Sequence, residues 1–347
     1  MSGKILELNE PLFRHSPANT FLLSVIGSDK KEFAWIMNNF VNLRINPFTR
    51  FDDFYRMDMW YNCPYVTDNI LSRDLIKSFS GNGIAELFID LINNGYYIYI
   101  PEMSREKIAA YNITQGTNAH NFLIYGYDDV KRVFYIMDFF RQELKCLQGT
   151  FDEIEKAYCV SESVSPKIQE STSFLGLHIF KKRELSEIGF TDKEKLLVQI
   201  QDYILAKNKY SDCFYPFSTN DVEFAVIRDN PNAMKYQFGL NFYDVLIDLL
   251  IKDTFLVRPF QLLYIHKQLM ALRLSFWEKQ GRKVDEKLIK QCQELMQLTF
   301  VTRNLYFKYW QKGFLDINTK GKIIDNLKVL QEKDFIFMTK MYSFCSI

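Results

Sequence analysis

No apolar run in the 347-residue chain approaches the roughly 18–20 residues that a membrane-spanning helix needs, so no membrane partner is expected. Charge of one sign is not in excess either. Lys and Arg number 43, Asp and Glu 42, for a net +1. Nucleic-acid coats and polybasic membrane clamps need a large positive surplus, so no nucleic-acid partner is expected. Paired cysteines are missing: Cys63, Cys146, Cys159, Cys213, Cys292 and Cys345 are irregularly spaced and form no CxxC. The stretch Met1–Glu7 has no apolar signal core. Free thiols in a reducing cytosol, and a cytoplasmic protein, are the expectation. With no HExxH and no paired-Cys spacing, no metal site is expected. Gly81-Asn82-Gly83 lacks the third glycine of a dinucleotide fingerprint, and neither GxxxxGK nor GxSxG occurs, so no cofactor is expected.

Aromatic residues are abundant. Phe, Tyr and Trp make 16% of the chain against only 14 Gly and 9 Pro, a composition that buries rather than disorders. A chain of this length favours two domains. The patterning predicts an α+β fold with a first domain over 1–185, an all-helical second domain over 190–347, and a linker at Lys181–Gly189. In the first, Ser16-Pro17-Ala18-Asn19 reads as a helix start, Ser at the N-cap and Pro at the first helical position. Gly27 ends that helix, a second begins near Lys31, and Phe48–Asn69 reads as a long loop. Ile84, Leu87, Phe88, Leu91 and Ile92 recur at helical spacing up to Asn94-Gly95. Strands are expected at 96–100, 121–127, 132–139 and 174–180, with a short helix from Phe151. Helices are expected at 192–207, 241–252, 259–280, 285–311 and 320–341, each with an apolar face.

One pair of residues carries chemistry. If the hairpin of the second and third strands turns on Asp129, residues summing to 258 face each other, and His120 and Asp138 do so. A carboxylate across from an imidazole fixes the tautomer and stabilises the imidazolium. The plainer alternative is a strand-end histidine with a local hydrogen bond.

Asn94-Gly95-Tyr96-Tyr97, His120, Ile124-Tyr125-Gly126-Tyr127-Asp128, Asp138, and Phe151-Asp152-Glu153-Ile154 with Ala157 together resemble papain-like cysteine peptidases of the bacteriocin-processing kind. They are more similar still to the family of the N-terminal domain of butirosin biosynthesis protein H. The resemblance covers about the first half of the chain. It implies a papain-like fold with His120 as base and Asp138 as orienter, and an acyltransferase or accessory protein of a bacterial peptide-antibiotic pathway. An acyl or peptidyl carrier protein is the implied partner.

The papain-like plan also places a cysteine at the start of the first core helix, where the helix end lowers the thiol pKa. This chain has Ser16-Pro17 there, and Pro17 has no N–H for an oxyanion. Ser16 reads first as an N-cap and second as a nucleophile. Cys63, in Asn62-Cys63-Pro64-Tyr65, is the only cysteine before His120 and the other candidate nucleophile. Two functions stay open. In one, His120 and Asp138 serve an acyl-transferring or thioester- or amide-cleaving enzyme, through Cys63 or in one step. In the other, a catalytically inactive relative binds a peptide, a carrier protein or another subunit. The helical half offers apolar stripes for core packing or for a homodimer surface.

Overall fold

The computed structural model describes residues 3–48, 52–55, 63–72, 75, 76, 78, 83–113, 119–140, 143–163, 176–183, 193–207, 235–254, 256–311 and 317–346. In chain order the elements are β1 (Gly3–Ile5), α1 (Pro17–Val25), α2 (Lys30–Asn38), β2 (Leu43–Ile45), β3 (Asp52–Phe54), β4 (Val66–Ser72) and α3 (Ile84–Asn93). Next come β5 (Tyr97–Ser104), 3-10 turns at Arg105–Lys107 and Ala109–Tyr111, β6 (Ala119–Asp128), β7 (Val133–Phe140), β8 (Glu143–Thr150), α4 (Phe151–Ser163) and β9 (Gly176–Lys182). The last are α5 (Lys193–Ile204), β10 (Gln237–Phe238), α6 (Asn241–Ile251), α7 (Val257–Lys279), α8 (Glu286–Gln311) and α9 (Ile317–Ser346). The fold class is α+β, and among the described residues every strand pairing is antiparallel.

The chain gathers into two compact units. The first includes Met1–Asp29 and Cys63–Ile188; the second holds Lys30–Asn62, Gly189–Phe214 and Pro231–Ile347. Among the described residues, a single cut at 185–190 differs from this in the segment that carries α2, β2 and β3, which clusters with the second unit. The expected linker also begins too early, because Lys181 and Lys182 are still in β9; residues 184–192 lie outside the described residues.

In the first unit a sheet of order β4-β9-β5-β6-β7-β8 carries β1 on β6. Phe88 and Ile92 of α3 and Ile154 and Ala157 of α4 press on one face, against Ile98, Phe122, Ile124, Phe134 and Ile136. Several of these side chains have no exposure at all. Each contributes roughly 1.5–3 kcal/mol by leaving water. Thr150 caps α4 as the sequence Thr-Phe-Asp-Glu dictates. Its hydroxyl accepts from Glu153 N at 3.2 Å and Glu153 Oε2 accepts from Thr150 N at 2.7 Å. The Phe48–Asn69 stretch is not simply a loop: β3 and the start of β4 lie in it. Its aromatic content hid two short strands with no clean alternation.

In the second unit the three-stranded sheet β10-β2-β3 sits with helices α2, α5, α6, α7, α8 and α9. The expectation of an all-helical stretch over 190–347 therefore fails at β10, two residues that no periodicity could announce. α7 is buried on most of its circumference, including His266, Lys267 and Arg273. Lys267 Nζ lies 2.5 Å from Asp334 Oδ2 of α9, which also accepts from Tyr203 and Tyr243 at 2.7 and 3.0 Å. Among the described residues, no helix is long and apolar enough to cross a membrane.

Candidate active site

His120 stands near the start of β6, and Asp138 lies in β7. The register between these strands is not the one the hairpin arithmetic assumed. Asp128 pairs with Val133 and Tyr127 with Phe134, a sum of 261; beyond a bulge, Ile124 pairs with Ile136 and Leu123 with Met137, a sum of 260. Residues 129–132 separate the last pair, so the turn is three residues longer than a turn on Asp129 alone allows. Asp138 is therefore level with Phe122, and His120 is its diagonal neighbour, still within reach of a long side chain. The bulge is what makes this possible. At a sum of 261 throughout, even and odd positions would share a face and His120 would point away from Asp138. The surplus residue, Tyr125, restores the match.

Gly126 is required beside that bulge because β1 crosses there. A Cβ on it would come within 2.8 Å of Lys4 O and 2.9 Å of Ile5 Cα. The neighbouring motif residues are also explained. Tyr127 donates to Asn93 Oδ1 at 2.8 Å, and Asp128 Oδ1 accepts from Lys131 N at 2.9 Å to hold the turn.

His120 Nδ1 lies 2.6 Å from Asp138 Oδ1. The Asp138 side chain is completely buried, whereas that of His120 is 30% exposed. An ionised carboxylate only accepts, so Nδ1 carries the proton and Nε2 is left with the free lone pair. Two residues unforeseen from sequence complete the carboxylate's shell. Arg105 donates from Nε to Oδ2 at 2.8 Å and from Nη2 to Oδ1 at 2.9 Å. A further Arg105 Nη2 bond reaches Phe139 O. Tyr111 donates to Oδ2 at 2.8 Å. Burial, together with the Asp138 charge and hydrogen bond, holds the Tyr111 phenol well above its ordinary pKa, partly offset by Arg105, so it stays a donor. Its ring stacks on Phe122 at 5.6 Å.

Arg105 arrives through a second bulge. Between Ile100 and Met103 the β5–β6 register slips by one, so Pro101 and Glu102 together oppose a single residue, and Met103 pairs with His120. Proline is tolerated at a bulge because it has no ladder N–H to give. The 3-10 turns that follow carry Arg105 and Tyr111, and Ala109 N donates to Glu153 Oε1 of α4 at 3.0 Å. Pro101 after a strand-like run is the one sequence signal that could have pointed to this turn; nothing marks Arg105 itself.

The two candidate nucleophiles lie elsewhere. Ser16 is an N-cap: its side chain accepts from Asn19 N at 3.4 Å and it is buried. Its helix packs on the other face of the sheet. Phe21 meets Tyr99, and Tyr99 alternates with Ile98 and Ile100, which belong to the core on the His120 side. Cys63, also buried, precedes β4. Asn69 of β4 is level with Ile179, Ile98 and Ile124 of β6, and Val66 and His120 lie three and four residues from that row in opposite directions. His120 is thus about 23 Å along the strands and three strands, about 14 Å, across from Val66. Three residues span at most about 10 Å, so the Cys63 and His120 Cα atoms stay more than about 15 Å apart. Among the described residues, the His120 ring has no hydrogen-bond partner other than Asp138. Cys146 is exposed on β8; the Cys159 side chain and Cys213 lie outside the described residues.

No family model matches the chain. No curated protein matches it either. Among the described residues, no group of three or more His, Cys, Asp or Glu is placed to hold a metal ion.

Proposed function

We propose that the first unit is a papain-like acyl-transfer domain in which His120 is the general base and Asp138 its orienter. The observation that carries the reading is the 2.6 Å Nδ1–Oδ1 contact between a buried carboxylate and a partly exposed imidazole. The motif resemblance supplies the reaction class: transfer or cleavage of a thioester or amide in a bacterial peptide-natural-product pathway. Neither Ser16 nor Cys63 is near the ring, so the reaction runs in one step. His120 Nε2 takes the proton of an incoming amine or water as that group attacks the acyl carbonyl, then returns it to the leaving thiolate or amine. In this reading the helical half docks a carrier protein or a second copy. Exposed Phe300, Val301 and Trp310 on α8 and Phe335 and Ile336 on α9 support such a surface.

A second reading has one observation in its favour. All four contacts on Asp138 can serve as a structural clasp, and a non-catalytic binding protein needs nothing more. The test is hydroxamate formation from an octanoyl N-acetylcysteamine thioester and hydroxylamine. His120→Gln should lower the rate about 10²–10⁴-fold, the usual worth of a general base. Alkylating the thiols should leave it intact. A rate unchanged in His120→Gln favours the binding protein; a rate abolished by alkylation refutes the one-step route.

A further inference from the structure

Asp138 is a fully buried carboxylate, and a neutral imidazole cannot balance its charge. A buried anion without a countercharge is costly and relieves itself by taking a proton or recruiting a cation. Left alone with His120, it would hold the ring as imidazolium, which has no lone pair to accept a proton. Arg105 removes that demand. Its side chain is 9% exposed and it forks across both carboxylate oxygens at 2.8 and 2.9 Å. Tyr111 fills the remaining direction on Oδ2 at 2.8 Å. Oδ1 then offers His120 one bond, to Nδ1–H.

We propose that Arg105 and Tyr111 are positioning residues for His120: they keep Asp138 ionised beside a neutral ring, so that Nδ1 holds the proton and Nε2 the free lone pair. This rests on the reading of His120 as a base. It differs from a thiolate–imidazolium pair, where the ring must be charged at rest, and it fits a site whose neighbourhood holds neither Ser16 nor Cys63. The guanidinium acts through charge and the phenol through geometry. Neither touches the reacting atoms.

The test is the nitrogen-15 spectrum of ring-labelled histidine at pH 8, the His120 signal being the one absent from His120→Gln. The wild-type protein should show one protonated nitrogen, Nδ1, and one bare nitrogen. In Arg105→Gln the doubly protonated fraction of the ring should rise about tenfold or more. A unit charge some 5 Å away is worth more than that even at an effective dielectric of about 20. Arg105→Lys returns the charge without the fork and should keep the wild-type fraction. Tyr111→Phe should raise the fraction about two- to threefold. An unchanged ring in Arg105→Gln overturns the proposal, as does a Gln-like ring in Arg105→Lys. If Arg105→Gln does not fold, Arg105→Lys and Tyr111→Phe carry the test, and a Tyr111→Phe ring identical to wild type overturns it. No turnover is needed for this measurement. Hydroxamate formation unaffected by His120→Gln refutes the base, while an unmoved ring refutes only the positioning.

Discussion

Acid should loosen the second unit through one histidine. His266 is fully buried, with Nε2 2.9 Å from Val41 O and Nδ1 2.9 Å from Lys267 Nζ. A carbonyl accepts and an ammonium donates, so Nε2 carries the proton and Nδ1 is the acceptor. A second proton would have to go on Nδ1, against the ammonium. Tyr203 stacks on the ring at 5.0 Å and closes the other approach. Burial, and then the charges of Lys267 and Arg273, hold the imidazole well below its ordinary pKa of 6.5, the Val41 bond opposing them. The sign follows from linkage. Below pH 6.5 the unfolded chain takes a proton here that the folded unit refuses, so stability is present above 6.5 and is lost as pH falls. If the folded ring stays neutral throughout, the loss between pH 7.5 and pH 5 is about 2 kcal/mol. That is a large part of a typical domain's 5–15 kcal/mol. Urea unfolding of wild type and His266→Gln, followed by tryptophan fluorescence at half-unit pH steps, isolates the contribution. His266→Gln starts lower at pH 7.5 but should fall less steeply, with the two curves converging by about 2 kcal/mol at pH 5. Parallel curves would refute the assignment.

Two further outcomes concern the first unit. Gly126→Ala must move the backbone of β1, because Lys4 O and Ile5 Cα stand within 3 Å of the new methyl; it should cost about 1–3 kcal/mol, read as a lower midpoint in urea and faster amide exchange in Gly3–Ile5. Thr150→Ala and Glu153→Ala each remove half of the α4 cap and should cost about 1 kcal/mol, the double variant losing less than the sum. Glu153→Ala additionally frees Ala109 N, so it should speed exchange in the 105–111 turns where Thr150→Ala does not.

Much of this architecture was readable from residue order, and the exceptions have physical causes. Ser16-Pro17, Thr150-Phe151-Asp152-Glu153 and the five long helices of the second half announce themselves because capping and helical period are local properties. The hairpin arithmetic reaches the His120–Asp138 pair through a wrong register of the right parity: both 258 and 260 are even. Turn length and bulge position depend on how β1 crosses Gly126 and how the core fills, which no local pattern encodes. β1, β2, β3 and β10 span two or three residues each, too few for alternation to register. Arg105 and Tyr111 were missed because their meeting with Asp138 joins residues 33 and 27 positions apart through a proline-containing bulge. The buried charges of α7 leave no mark in the residue order, since a sequence does not say which lysine will be surrounded.

The surplus residue of β6 makes the hairpin unequally tolerant of insertions and deletions. Losing Tyr125 itself would merely straighten the strand, since Ile124 and Gly126 already pair with successive residues of β7. A residue added between His120 and Phe122 has no such outlet. Phe122 and Ile124 are anchored in the core, so the strand would keep them there and rotate the imidazole to the far side of the sheet.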